Sequence, residues 1–139
     1  MAELQHEWLL MVDGAARGNP GPAGCGAVIC DEKGAVVREL SRYLGHATNN
    51  VAEYEALLMG LEALIKLKRN KIVVQSDSQL LVRQLNGEYR VKDEKLKVLY
   101  QRAAGLLRQF GSYRIVHVRR ELNKAADRLA NRGIDEAAR

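Results

Sequence analysis

Apolar residues crowd together from Trp8 to Val12 and stop at Asp13, so the chain opens with a buried strand over residues 7 to 13 that drives a carboxylate to the edge of a core. The glycines at 14, 18, 21 and 24 and the prolines at 20 and 22 follow, a density that predicts a loop from Gly14 to Gly24. Gly24 to Cys30, centred on Ala27-Val-Ile29, reads as a second strand, and Ala35 to Leu44 as a third across the turn Asp31-Glu-Lys-Gly34. The opening third is then an antiparallel meander.

From Val51 the period changes. Ala52, Ala56, Leu57, Gly60, Leu61, Leu64 and Ile65 recur at helical spacing, with Thr48, Asn49 and Asn50 as cap candidates. Lys71 to Gln75 is a short β-branched strand reached only after a helix, which makes it parallel to an earlier one. Ser78 to Leu85 predicts a short helix. Asp93 to Phe110 predicts a longer one with a stripe of Leu96, Leu99, Tyr100, Ala103, Leu106 and Leu107. Tyr113 to Arg119 is the last strand, and Asn123 is expected to cap the last helix. The order βββ, α, β, α, α, β, α gives an α/β fold, a mixed five-stranded sheet flanked by helices, in a single domain spanning residues 1–139.

Composition changes this picture little. With 47% hydrophobic and 28% charged residues the chain is a folded domain, and a net charge of +5 makes a polyanionic partner plausible without naming it. Cys25 and Cys30 on one strand lie ~16 Å apart and face opposite ways, beyond the roughly 7 Å reach of a disulfide, so they read as reduced core thiols of a cytoplasmic protein. No signal-peptide pattern and no membrane-length apolar run is evident, so no membrane partner is expected. A monomer is expected, since no long exposed apolar stripe stands out.

Four acids stand at the ends of elements: Asp13 after strand one, Glu53 in the first turn of the first helix, Asp77 after strand four, and Asp127 early in the last helix. Singly, each has a local explanation. Asp13-Gly14 fits a turn, Glu53 follows Asn50 by three residues as in a capping box, Asp77 could cap the helix from Ser78, and Asp127 suits the positive end of a helix dipole. Their neighbours form a more specific set. Asp-Gly-Ala-Ala-Arg-Gly-Asn-Pro-Gly opens at Asp13, Thr48-Asn-Asn precedes Glu53, Asp77 stands in Ser76-Asp-Ser-Gln79, and Asp127 stands in Asn123-Lys-Ala-Ala-Asp-Arg-Leu-Ala130.

In that order, across nearly the whole chain, the set resembles type 1 ribonuclease H. The resemblance implies a ribonuclease H-like fold and an endonuclease that cuts the RNA strand of an RNA/DNA hybrid. It implies that Asp13, Glu53, Asp77 and Asp127 hold two divalent cations, Mg²⁺ or Mn²⁺, and that Gly14, Asn19, Asn49 and Gln79 meet the nucleic acid. Carboxylates suit hard cations, and two such ions can activate a water and stabilise a leaving oxygen. Two departures follow from the same comparison. The family's bacterial housekeeping members carry a histidine in the loop before the last helix, where this chain has Arg119-Arg-Glu-Leu122, leaving Arg119 or Arg120 as phosphate-binding candidates and His117 as a strand residue. A basic, tryptophan-bearing protrusion also has no counterpart between Gln84 and Asp93, so grip falls to Arg90, Lys92, Lys95 and Lys97. A nuclease of the same fold that also cuts double-stranded RNA, and a non-catalytic nucleic-acid-binding module, are the alternative readings.

Overall fold

A computed structural model describes residues 6–138. Five strands, β1 (Trp8–Ala16), β2 (Gly21–Cys30), β3 (Val36–Ala47), β4 (Lys71–Ser76) and β5 (Ser112–His117), form one sheet in the order β3-β2-β1-β4-β5. β1, β2 and β3 are antiparallel neighbours, while β4 runs parallel to β1 and β5 parallel to β4. Four helices complete the chain: α1 (Asn49–Lys66), α2 (Gln79–Leu85), α3 (Glu94–Leu107) and α4 (Lys124–Ala137). The expected mixed five-stranded architecture is the one observed.

The sheet is covered on both faces, which is why its central strands read as unbroken apolar runs. Leu10 and Val12 point with Cys25, Ala27 and Ile29 into the main core under α1 and α3. Leu9 and Met11 point the other way, against the smaller cluster of Val28, Cys30 and Leu129 under α4. Cys25 and Cys30 are thus free, buried thiols on opposite faces, and burial pushes the Cys25 thiol up to about 11.

The glycine-rich stretch is not the expected long loop. β1 continues to Ala16 and β2 begins at Gly21, leaving a connection of only residues 17–20. Sheet pairing needs no Cβ, and several of these glycines exist to let helices touch the sheet. A Cβ on Gly14 would lie 2.3 Å from the Ala52 carbonyl carbon of α1, and one on Gly26 would lie 2.4 Å from the Ala126 oxygen of α4. Pro22 fits inside β2 because its carbonyl accepts a hydrogen bond from the Arg17 N–H at 2.9 Å, a bond that asks nothing of the missing proline N–H.

Other boundaries shift by a few residues. β3 runs three residues past Leu44, α3 stops at Leu107, and β5 ends at His117 where its pairing with β4 runs out. Thr48 caps α1, its hydroxyl accepting from the Val51 N–H at 3.2 Å, so Glu53 lies in the second turn of the helix and takes no part in capping. Ser78 caps α2 in the same way through the Leu81 N–H, which frees Asp77 from that duty. Asn123 occupies the cap position of α4 but makes no capping bond: its side chain is turned inward. Among the described residues, no helix is long and apolar enough to cross a membrane.

Candidate active site

Strand register brings the first two acids together. Val12 is paired with Ser76 in the last step of the parallel β1–β4 ladder, so Asp13, within β1, and Asp77, just past the end of β4, emerge side by side where that ladder stops. That end of a parallel pair is where α/β proteins build their sites. Gly14 then admits α1 close enough for its backbone at Ala52 and Glu53 to touch β1, which carries the Glu53 carboxyl to the other two. Carboxylate oxygens of Asp13, Glu53 and Asp77 lie within 4.8 Å of one another, close enough to share a cation.

The fourth acid arrives on α4. Asp127 lines the same cleft, of about 440 Å³, and its carboxyl hydrogen-bonds to that of Asp13. Its helix is fastened to the middle of β1 by Asn123, which is fully buried and donates from Nδ2 to the Val12 carbonyl at 2.8 Å. The Asn123 Oδ1 has no partner among the described residues.

The acids resist ionisation here because they are partly desolvated and crowd one another. Burial pushes the Asp13 carboxyl up to about 9, with further upward pressure from the charge of Asp77, the hydrogen bond and charge of Asp127 and the charge of Glu53. Burial likewise pushes Glu53 up to about 7, opposed by a hydrogen bond from the Ser78 hydroxyl. Asp77 is raised by burial too, against the pull of Arg120 and a hydrogen bond to Asn123. An all-oxygen donor set whose ionisation is this costly without a counter-charge suits a hard divalent cation.

The remaining expected residues divide. Gly14, Asn49 and Arg120 line the cleft, together with Asn50 and Ser78. Asn19 lies outside the cleft, but its Oδ1 accepts from the Asn49 N–H at 3.0 Å while the Asn49 Oδ1 accepts from the Ala16 N–H at 2.9 Å, so the pair tie the β1–β2 connection to the start of α1. Gln79 is exposed at the start of α2 and Arg119 pairs at 3.8 Å with Glu121 in solvent; neither lines the cleft. His117 ends β5 and its charge acts on Asp77. Of the basic set, Lys95 lines a larger groove of about 820 Å³ with Asn19 and Asn50, Arg90 and Lys92 are exposed, and Lys97 pairs with Glu94 at 3.1 Å. Asn123 was legible only as a helix cap and Ser78 only as the first residue of a helix, because hydroxyl and amide side chains at such positions ordinarily serve the backbone.

Comparison with known proteins gives this arrangement a family. The Reverse transcriptase-like family matches residues 11–133. The bifunctional protein Rv2228c of Mycobacterium tuberculosis is 44% identical over 131 residues, 94% of this chain; the chain spans only 36% of that relative's length. The ribonuclease H of Coxiella burnetii is 34% identical over 141 residues, covering 91% of this chain and 89% of that one. Among solved structures, LC11-RNase H1 in complex with an RNA/DNA hybrid is 43% identical and superposes with a TM-score of 0.91, covering 96% of this chain and all of that one (100%). By near-full-length sequence identity and by fold, this chain belongs to the type 1 ribonuclease H family.

Proposed function

We propose that the chain is a metal-dependent endonuclease that hydrolyses the RNA strand of RNA/DNA hybrids. The observation that carries this reading is the convergence of Asp13, Glu53 and Asp77 oxygens within 4.8 Å where the β1–β4 ladder ends, with Asp127 bonded to Asp13 beside them. Family membership and the hybrid bound to a structural neighbour support the substrate. The cleft is lined by all four acids, and two of its carboxyls are raised to pH values at which ordinary carboxylates are fully ionised.

Divalent ions, when bound, supply an activated water and stabilise the leaving oxygen. Asp13 and Asp77, held by the paired central strands β1 and β4, are assigned to both ions, and Glu53 and Asp127 to one each. Arg120 faces Asp77 and is placed to meet a phosphate of the strand being cut. Gly14 offers its backbone to that strand, and Asn19 and Asn49, whose oxygens are already used by the fold, offer the donor ends of their amides. Gln79 and Arg119 stand farther out, as contacts for flanking nucleotides. Donors of this kind suit a shallow minor groove, where the 2′-hydroxyl tells RNA from DNA.

The test is cleavage of end-labelled RNA in matched RNA/DNA, RNA/RNA and DNA/DNA duplexes, with Mg²⁺, Mn²⁺ or neither, by the parent and by Asp77→Asn. Metal-dependent cutting of the hybrid that disappears in the folded variant is the expected result. A folded parent that cuts no duplex under either ion overturns the reading in favour of a binding module, and cutting in the RNA/RNA lane extends it to double-stranded RNA.

A further inference from the structure

A second groove, of about 730 Å³, opens directly off the carboxylate cleft along the outer side of α4, sharing Arg120 and Asp127 with it. Its other acids are already spoken for. Asp135 is held by Arg17 at 2.7 Å, and Glu136 by Arg132 at 2.9 Å, one helical turn back. Asp127 belongs to the cleft. What remains uncommitted on this wall is positive: Lys124 and Arg128 are exposed, line the groove and form no ion pair among the described residues.

Their spacing is regular. Lys124 and Arg128 are four residues apart on one helix, so they stand on one face roughly 6 Å apart along the axis. Arg120, in the short 3-10 turn just before α4, continues the row to the edge of the cleft. Three cations in a line that ends at the acids have no structural task in the fold: α4 is already held to the sheet by its buried side, through Ala126, Leu129, Ala130 and Ile134.

We propose that the outer side of α4 is a phosphate track, on which Arg120, Lys124 and Arg128 hold successive phosphates of the cleaved strand to one side of the bond being cut. It rests on the nuclease reading above, and it gives the chain an extended grip that its short α2–α3 connection, residues 86–93, has no room to supply. A phosphate-directed row binds without reading sequence, so its energy is that of released counterions and its signature is salt dependence.

The experiment measures KM for an RNA/DNA hybrid as a function of salt for the parent, K124Q/R128Q, K124R/R128K, and K66Q/R108Q. The last pair removes the same net charge at the carboxyl ends of α1 and α3, remote from the cleft. Expected for K124Q/R128Q is a KM roughly five- to tenfold higher at low salt and a log KM–log salt slope shallower by about 2, one unit for each lost phosphate contact. K124R/R128K keeps the parent slope, and K66Q/R108Q leaves both quantities unchanged. An unchanged slope in K124Q/R128Q with an active parent overturns the track alone. An equal loss in K66Q/R108Q overturns it too, since net charge then suffices. Absence of cutting by the parent removes the nuclease reading itself.

Discussion

Asn123 shows how a residue that looks like a cap can be a joint. Sequence logic assigns an asparagine before a helix to its first N–H groups, and here that logic gives way because the side chain donates instead to the Val12 carbonyl, where the β1–β4 ladder stops. The bond fastens α4 to the strand that carries Asp13, one residue after the bonded carbonyl. Asn123→Ala removes the donor and leaves a buried carbonyl bare, so a stability loss of about 2 kcal/mol is expected by denaturant titration. Hybrid cleavage is expected to fall further than stability alone explains, because Asp127 loses its register against Asp13; a variant that is destabilised yet keeps the parent kcat would show that the joint serves only the fold. The acids were legible at this scale because each closes an apolar run or lies in a motif with distinctive neighbours. Asn123 and Ser78 were not, because their work is done on partners far away in sequence or across a helix start, at Val12 and Glu53.

Among elements, the decisive contacts are those of glycine against helix backbone. Local composition predicts a loop from Gly14 to Gly24, whereas Gly14, Gly24 and the neighbouring Gly26 lie within strands and leave space that α1 and α4 fill. Element order and type were legible, since the switch from alternating to helical periodicity is strong at Val51 and the strands are β-branched. The extents of β1 and β2 were not: composition records what glycine permits in a loop and is silent on what its missing side chain permits across a sheet. Gly26→Ala places a Cβ 2.4 Å from the Ala126 oxygen and 2.6 Å from the Ala130 nitrogen, neither of which can move without shifting α4. The expected cost is about 1–3 kcal/mol in thermal or chemical unfolding, together with lower hybrid cleavage as Asp127 is displaced. Gly34→Ala is the contrasting case, with open space around the Cβ and only its positive φ of 85° to resist, and it is expected to leave cleavage at the parent level. Equal loss of activity in both would detach the seam under α4 from the site.

On the scale of the whole molecule, the four acids work against the fold that assembles them. The chain carries a net +5, yet inside the cleft the cost of burying Asp77 outweighs the pull of the nearby Arg120 and His117. Asp13 is pushed from an ordinary 3.8 up to about 9 and Glu53 from 4.5 up to about 7, both chiefly by burial. A carboxyl with a higher pKa in the folded than in the unfolded chain holds its proton longer in the folded state. Its contribution to stability is therefore complete below the ordinary value and is lost as pH rises through the folded one. Without divalent ions, stability attributable to Glu53 should be lost between about pH 4.5 and 7, and that attributable to Asp13 between about pH 4 and 9. The metal-free Tm is expected to fall by several degrees from pH 5.5 to pH 9, at about 4 °C per kcal/mol for a domain of this size. Asp13→Asn removes the larger share of that slope and should raise the metal-free Tm at pH 9. Mg²⁺ competes with protons for the same oxygens, so it should stabilise the parent more at pH 9 than at pH 5.5 and Asp13→Asn little at either. Thermal unfolding of both proteins at the two pH values, with Mg²⁺ and with a chelator, measures all four quantities. A parent whose metal-free Tm is level across this range, and whose gain from Mg²⁺ does not grow with pH, would mean that the cleft relieves its own charge and that cation binding is not linked to these carboxyls.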